Sequence, residues 1–179
     1  MAKMFWGQIP IERATALFYY EAHAETANIL YELKYKNHPE IGVVMGRMMA
    51  RELTGSGLFD DIDALVPVPL ARKRERERGY NQSLMLARGV SEVTGLPINN
   101  KVVRRTKFMG SQTRRGRWER NENVEDVFEL TDGDSLSGKH LLLIDDVVTT
   151  GATIIACAKE MQKASNVKIS VLALGFAKS

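Results

Sequence analysis

The sequence predicts an α/β fold in which a mostly parallel sheet is flanked by helices. Apolar runs of strand length alternate with segments whose apolar residues recur at helical spacing, a pattern typical of strand–helix–strand units. The clearest unit has an unbroken apolar run at residues 141–144, helical spacing at residues 154–161 and a last strand candidate at residues 169–174. Apolar runs without alternation suit strands that are buried on both faces.

The first sixty residues predict one strand followed by two helices. Residues 16–20 are apolar and aromatic and form a short strand candidate. Residues 22–36 carry an apolar stripe at helical spacing, which predicts a helix. Pro39 suits the first turn of a second helix, which is expected to run to about Leu53.

The middle of the chain predicts two more strands around a third helix. Residues 64–69 form a strand candidate that should end just before its first or second proline, because proline is poorly tolerated inside strands. The charged residues 72–78 are predicted to be a loop. A helix is expected from about Asn81 to Val93, closed by a glycine, and residues 102–105 form a short strand candidate.

Size and composition favour one globular domain. The 179 residues, 44% of them hydrophobic and 26% charged, are ordinary for a soluble protein. We expect a helical or hood region over residues 1–60 and a core over residues 61–179. Neither a membrane span nor a secretory signal is recognisable, and Cys157 is the single cysteine, so a cytoplasmic protein without disulfides is expected.

The charge is divided unevenly along the chain. Residues 72–120 contain 14 Lys/Arg and 4 Asp/Glu, a net charge of +10, whereas residues 121–160 contain 2 Lys/Arg and 9 Asp/Glu, a net charge of −7. This pattern suits a site for a polyanionic ligand that also holds a metal ion or a diol. The basic excess equally suits nucleic-acid binding, so both alternatives stay open.

Two carboxylates, Asp145 and Asp146, follow the apolar run at residues 141–144 directly, which places them at the carboxyl end of a buried strand. Ligands of open α/β sheets bind at that edge. The next turn contains small and hydroxyl-bearing residues and leads into a helix, whose first backbone N–H groups attract anions. Carboxylates beside an anion site suit a phosphorylated ribose, with the diol on the carboxylates and the phosphate on the turn. The alternative is an Asp-rich turn that caps the helix. The predicted ligand-binding residues in this turn are Thr149, Thr150, Gly151, Ala152 and Thr153.

Two basic segments are candidates for contacts to a diphosphate. The first follows the strand at residues 64–69, where arginine can bind phosphate oxygens through paired hydrogen bonds; the alternative is a solvated charged loop. Its predicted residues are Leu70, Ala71, Arg72 and Arg74. The second is the long polar segment at residues 107–123, which predicts a flap over the ligand or, alternatively, a disordered surface loop. Its predicted residues are Lys107, Gln112, Arg114, Arg115 and Arg117.

These motifs resemble known families. Residues 141–153 are similar to the 5-phosphoribosyl 1-diphosphate (PRPP) signature of type I phosphoribosyltransferases. Five further segments resemble the ComF family, phosphoribosyltransferase-like proteins that are associated with DNA uptake: residues 21–36, 66–69, 78–82, 112–113 and 120–124. The resemblance implies a type I phosphoribosyltransferase-like fold, binding of PRPP or a ribose phosphate with Mg²⁺ held mainly through the ligand, and transfer of the phosphoribosyl group to an unidentified nitrogen acceptor.

The resemblance leaves several properties open. The alternative to an enzyme is an accessory protein without catalytic activity that binds single-stranded DNA or proteins of DNA uptake and recombination. The oligomeric state is also open, and a homodimer is one possibility. Many ComF proteins begin with a four-cysteine zinc module, which this sequence lacks because it has only one cysteine. Glutamine amidophosphoribosyltransferases, which share some motifs, need a glutaminase domain with a nucleophilic cysteine at its start, so a complete enzyme of that kind is not expected.

Overall fold

The computed structural model describes residues 1–20, 25–106 and 127–177. Short 3-10 helices occur at Ala2–Phe5 and Asp134–Leu136. The other helices and strands, in chain order, are β1 (Ala14–Tyr20), α1 (Glu25–Tyr35), α2 (Pro39–Leu53), β2 (Ala64–Pro67), α3 (Arg72–Arg78), α4 (Gln82–Thr94), β3 (Val103–Arg105), β4 (Phe128–Leu130), β5 (His140–Val148), α5 (Ala152–Met161) and β6 (Lys168–Ala177).

The main sheet has four strands in the order β1-β6-β5-β2, and every neighbouring pair is parallel. The predicted parallel α/β fold is therefore confirmed. Strand β5 has neighbours on both sides, and its apolar residues 141–144 are fully buried. The strand predicted at residues 102–105 exists as β3, but it pairs with β4 in a separate antiparallel hairpin.

Helices cover both faces of the main sheet. Alternate residues of each strand point to opposite faces, so each strand contributes to two apolar clusters. Leu142 and Ile144 of β5 join the apolar cluster that includes α1, α2 and α4. Leu141 and Leu143 join the opposite cluster, which includes α5 and the β3–β4 hairpin. Burial on both faces is the physical reason for the unbroken apolar run.

Helices α2 and α4 contact each other through their backbones at a pair of glycines. A Cβ atom on Gly46 would lie 2.1 Å from the carbonyl oxygen of Leu86, and one on Gly89 would lie 2.1 Å from that of Val43. No side chain fits into those spaces, so glycine lets the two helices pack closely. This contact fixes α4, whose first turn reaches the carboxyl edge of the sheet.

The prediction of a loop at residues 72–78 is wrong, because these residues form helix α3. Arginine, lysine and glutamate are good helix formers, and the seven charged residues can all remain solvated on a short surface helix. Gly79 ends the helix in the left-handed conformation, with φ of 82°. The sequence predicted a loop here because residues 72–78 lack the apolar stripe by which a helix is usually recognised.

The predicted division of the chain at residue 60 stays a prediction. Strand β1, which precedes that position, pairs with β6 in the main sheet. Arg13 donates hydrogen bonds to the backbone carbonyl oxygens of Gly57 and Asp60, which connects β1 to the segment before β2. None of the helices in the described ranges combines the length and the apolar character that crossing a bilayer requires.

Candidate functional site

Strand β5 carries Asp145 and Asp146 to the carboxyl edge of the main sheet. Asp145 is buried, and its Oδ1 accepts hydrogen bonds from Ser83 Oγ at 3.1 Å and from the Asp146 backbone N–H at 2.9 Å. Asp146 is partly buried, and its Oδ1 accepts a hydrogen bond from the backbone N–H of Val147 at 2.6 Å. The structure therefore brings both predicted carboxylates into one compact cluster.

A lysine neutralises part of the charge of this cluster. Lys34 Nζ lies 3.1 Å from Asp146 Oδ2, and the lysine side chain is 25% exposed. Burial, followed by the charge of Asp146, raises the pKa of Asp145 to about 7, while the hydrogen bonds and Lys34 act in the opposite direction. An ionised pair is thus costly when no ligand is bound, and hydroxyl donors or a cation would relieve that cost.

Residues Lys34 and Ser83 were not among the predicted site residues. Lys34 lies in the ComF-like segment at residues 21–36, and this resemblance is the feature of the sequence that could have indicated a role for it. Ser83 carried no signal, because a serine in the first turn of a helix is ordinary. Both residues reach the carboxylates only through the packing of α1 and α4 against the sheet.

The turn between β5 and α5 lies at the same edge as the carboxylates. Gly151 precedes α5 with φ of 77°, a conformation that side-chain-bearing residues rarely adopt. A Cβ atom on Gly151 would lie 3.1 Å from Met4 Cε and 3.2 Å from Phe5 Cε1. Thr150 Oγ1 accepts a hydrogen bond from the Ala152 N–H at 3.4 Å. The turn therefore presents hydroxyl groups and the first N–H groups of a ten-residue helix.

The predicted diphosphate residues do not all line one cavity. Leu70, Ala71 and Arg72 are near Arg104 and Arg105, and Ala71 and Arg72 line a cavity of about 460 Å³ with those two arginines. Arg74 instead lines a cavity of about 580 Å³ beside the end of α1. Arg72, at the start of α3, therefore lies at one cavity, and Arg74, further along the same helix, lies at the other.

Arg105 is a further cation that the sequence did not single out. Burial lowers the pKa of this half-buried arginine, and the charge of Asp145 opposes that shift. Arg105 Nε is buried and has no hydrogen-bond partner within the described parts of the chain. The neighbouring Arg104 binds Glu129 through hydrogen bonds of 3.0 Å and 2.9 Å. The hairpin therefore supplies one arginine that is already paired and one whose pKa responds to the charge of Asp145.

The segment Tyr80 to Asn81 joins the elements that carry the site. Tyr80 Oη donates a 2.6 Å hydrogen bond to the carbonyl oxygen of Leu33, next to Lys34. Asn81 Nδ2 donates to the carbonyl oxygen of Val68 at 3.0 Å, and Asn81 Oδ1 accepts from the Ser83 N–H at 3.0 Å. These bonds connect α1, the end of β2 and α4, so they hold three sides of the site in register.

Two further predictions concern the flap and a metal ion. The five predicted flap residues lie outside the described residues: Lys107, Gln112, Arg114, Arg115 and Arg117. Within the described ranges, no group of three or more His, Cys, Asp and Glu side chains could hold a metal ion. The carboxylates Asp145 and Asp146 are oxygen donors of the kind that Mg²⁺ takes together with substrate phosphates, so the donor chemistry fits an ion that the ligand brings.

Comparison with known proteins decides the family. Competence protein F of Haemophilus influenzae is 32% identical to this chain over 153 residues, which cover 83% of the chain and 67% of that protein. The chain belongs to the ComF family of competence proteins. DNA utilization protein YhgH of Escherichia coli K12 is 31% identical over 137 residues, 73% of the chain, and the chain spans 58% of that relative. No protein-family model matches the chain.

Solved structures show the fold of this ComF chain. Glutamine PRPP amidotransferase from B. subtilis superimposes with a TM-score of 0.51 and 18% identity, covering 79% of the chain and 30% of that protein. At this identity the likeness concerns the fold alone. The predicted type I phosphoribosyltransferase-like fold and the predicted ComF resemblance are both confirmed.

Proposed function

We propose that the protein binds PRPP or a ribose phosphate with Mg²⁺ at the carboxyl edge of the main sheet and transfers the 5-phosphoribosyl group to a nitrogen acceptor. The observation that carries this proposal is the pair of carboxylates, the buried Asp145 and the partly buried Asp146, beside the Thr-Gly turn that opens α5. Acidic and anion-binding groups meet there at one end of one strand, as a sugar phosphate requires.

Each part of the ligand has a complementary group in the proposal. The carboxylates accept hydrogen bonds from the ribose hydroxyls, and the turn at residues 149–153 binds the 5-phosphate through backbone N–H and threonine hydroxyl groups. Arg72 and Arg105, which line one basic cavity, bind the diphosphate. Mg²⁺, when bound, would be held mainly through the ligand and would neutralise part of the charge of the diphosphate.

The transfer needs no nucleophilic side chain. The bond between C1 of the ribose and the diphosphate oxygen breaks, and its electron pair leaves with the diphosphate. The acceptor nitrogen forms a bond to C1 and releases one proton. Positive charge develops on the ribose, close to Asp145 and Asp146, and negative charge develops on the leaving group, close to Arg72 and Arg105. Fixed charges that match this redistribution lower the barrier.

Calorimetric titration tests the binding half of the proposal. Wild-type protein should give heat with PRPP and Mg²⁺ at millimolar concentration, and the double variant Asp145→Asn/Asp146→Asn should give none. Asp134→Asn, an exposed aspartate before β5, is the matched control and should bind as the wild type does. Diphosphate release in the presence of bases and amines then tests turnover. Wild-type protein that gives no heat with millimolar PRPP would refute the proposal.

A second function is favoured by the names of the relatives, a competence protein and a DNA utilization protein. In this alternative the protein is an accessory factor, and the basic segment at residues 72–120 binds single-stranded DNA or a DNA-uptake partner. Affinity for oligothymidylate should then fall with salt, with log K against log[salt] sloping by about −0.7 per neutralised phosphate. A salt-independent response would exclude this alternative. Either function is consistent with the expected cytoplasmic location.

A further inference from the structure

The cavity that Arg74 lines is a cleft between the end of α1 and helix α3, and it has no role in the phosphoribosyl transfer proposed above. Its volume is about 580 Å³. Five of the side chains that line it are charged, four of them cations and one an acid: Lys34, Arg74, Arg76, Arg78 and Glu77. With a formal charge of +3 on its wall, the cleft favours an anionic occupant and disfavours a cationic one.

The cleft borders the carboxylate pair. Lys34 lines the cleft and also places its Nζ 3.1 Å from Asp146 Oδ2. Lys34 therefore connects the cleft with the carboxylate pair. The cleft has the position that a second substrate needs, next to the sugar that receives the new bond.

The walls of the cleft are held by specific contacts. Tyr80 Oη donates its 2.6 Å hydrogen bond to a carbonyl at the end of α1. The Arg78 guanidinium lies 5.6 Å from the centre of the Tyr35 ring, which itself packs against Tyr31 at 5.2 Å. Gly79 lies against Asn37, because a Cβ atom there would be 3.3 Å from Asn37 Oδ1. The wall of the cleft therefore carries two planar groups side by side, the Arg78 guanidinium and the Tyr35 ring.

We propose that this cleft binds the acceptor of the phosphoribosyl group, and that the acceptor is a planar nitrogen compound carrying a carboxylate or phosphate. This inference rests on the proposed function and adds the substrate class. The anionic group of the acceptor is bound by the cations of the cleft, and the planar groups of Tyr35 and Arg78 support its ring.

Lys34 couples the two ligands. Without ligands its ammonium group neutralises Asp146, and the ribose hydroxyls of bound PRPP would donate hydrogen bonds to the same carboxylate. The ammonium group is then available to the anion in the cleft. Each ligand should therefore raise the affinity for the other by the same factor, as linkage requires, and couplings of this type amount to about 5- to 150-fold.

Two pairs of probe compounds test the inference: orotate with uracil, and nicotinate with nicotinamide. The two members of each pair have similar rings, but only the first carries a negative charge. Calorimetry with ribose 5-phosphate and Mg²⁺ present should show at least about tenfold tighter binding of the acid in at least one pair, since the acid makes charge-assisted hydrogen bonds that the neutral compound lacks. Lys34→Met and Arg78→Gln should each remove most of that preference. Arg51→Gln, an exposed arginine at the end of α2, is the control and should retain it.

The outcomes separate this inference from the proposed function. If PRPP with Mg²⁺ gives no heat, the proposed function fails. If PRPP binds but acids and neutral compounds bind equally, only the inference about the cleft is overturned. An acid preference that persists in both Lys34→Met and Arg78→Gln would also overturn it, as would binding of oligothymidylate without binding of either acid. Circular dichroism confirms that each variant is folded before its binding is interpreted.

Discussion

The substitution Asp145→Asn should weaken ligand binding and at the same time stabilise the protein without ligand. The carboxylate is buried beside Asp146, which raises its pKa to about 7 from an ordinary value near 3.8. An asparagine has the same shape, and its Oδ1 can still accept the hydrogen bonds from Ser83 and from the Asp146 backbone. The variant therefore removes a destabilising charge and retains the geometry.

The size and the pH range of this effect follow from the pKa of Asp145. Between about pH 4 and pH 7 the unfolded chain has lost the proton of Asp145 and the folded chain still holds it, so the wild type loses stability as pH rises through this range. A shift of about three pKa units corresponds to about 4 kcal/mol at most. Because the repulsion is shared with Asp146, we expect a gain on the order of 2 kcal/mol for the variant above pH 7 and almost none near pH 4.

Urea denaturation at pH 4, 6 and 8 measures this difference, and calorimetry with PRPP and Mg²⁺ measures binding. Loss of charge-assisted hydrogen bonds to the ribose, each worth about 1.5–3 kcal/mol, should weaken binding at least about tenfold. The reasoning is refuted if the variant is less stable than the wild type at pH 8, or if the stability difference is the same at pH 4 and pH 8. Asp134→Asn should show neither effect.

Three other substitutions test how the site is supported. Gly89→Ala should destabilise the protein by about 1–3 kcal/mol, because its Cβ atom would lie 2.1 Å from a carbonyl oxygen of α2. The control Val93→Ala, on the same helix, should change the free energy of unfolding far less. Equal effects of the two variants in denaturant titrations would contradict close packing at the glycine. Gly151→Ala should lower the free energy of unfolding by about 1–2 kcal/mol, because the φ of 77° at this position is unfavourable for alanine. It should also weaken the binding of ribose 5-phosphate, and an unchanged affinity in calorimetry would argue against a phosphate in this turn. Tyr80→Phe should lower stability by about 1 kcal/mol, through loss of the 2.6 Å hydrogen bond to α1, and a thermal midpoint equal to that of the wild type would show that this bond contributes nothing.

The sequence predicted the elements whose residues have an unambiguous pattern. Strand β5 could be predicted because residues 141–144 are all apolar, as a strand buried on both faces must be. Helix α4 could be predicted because Gly95 and Asn81 mark its ends and an apolar stripe lies between them. The position of Asp145 and Asp146 followed from β5, since residues at the carboxyl end of a parallel strand lie at the ligand-binding edge.

The errors and omissions have physical causes as well. Helix α3 was predicted as a loop because a short, fully solvated helix needs no apolar stripe, and Arg72 and Arg74 of this helix lie at different cavities. Lys34 and Ser83 were missed because their partners are distant in sequence: Lys34 is 112 residues from Asp146, and Ser83 is 62 residues from Asp145. The pattern of residues within one segment contains no information about contacts between segments that are distant in the sequence.

The sequence by itself determined the class of fold, the strand that carries the carboxylates and the resemblance to the ComF family, because local patterns and short motifs express all three. The tertiary structure alone decided what surrounds the carboxylates. Packing of α1 and α4 against the sheet brings Lys34 and Ser83 to Asp146 and Asp145, and the β3–β4 hairpin places Arg105 where the charge of Asp145 affects its pKa. The charge balance of the site, and therefore the ligand that it favours, depends on these long-range contacts.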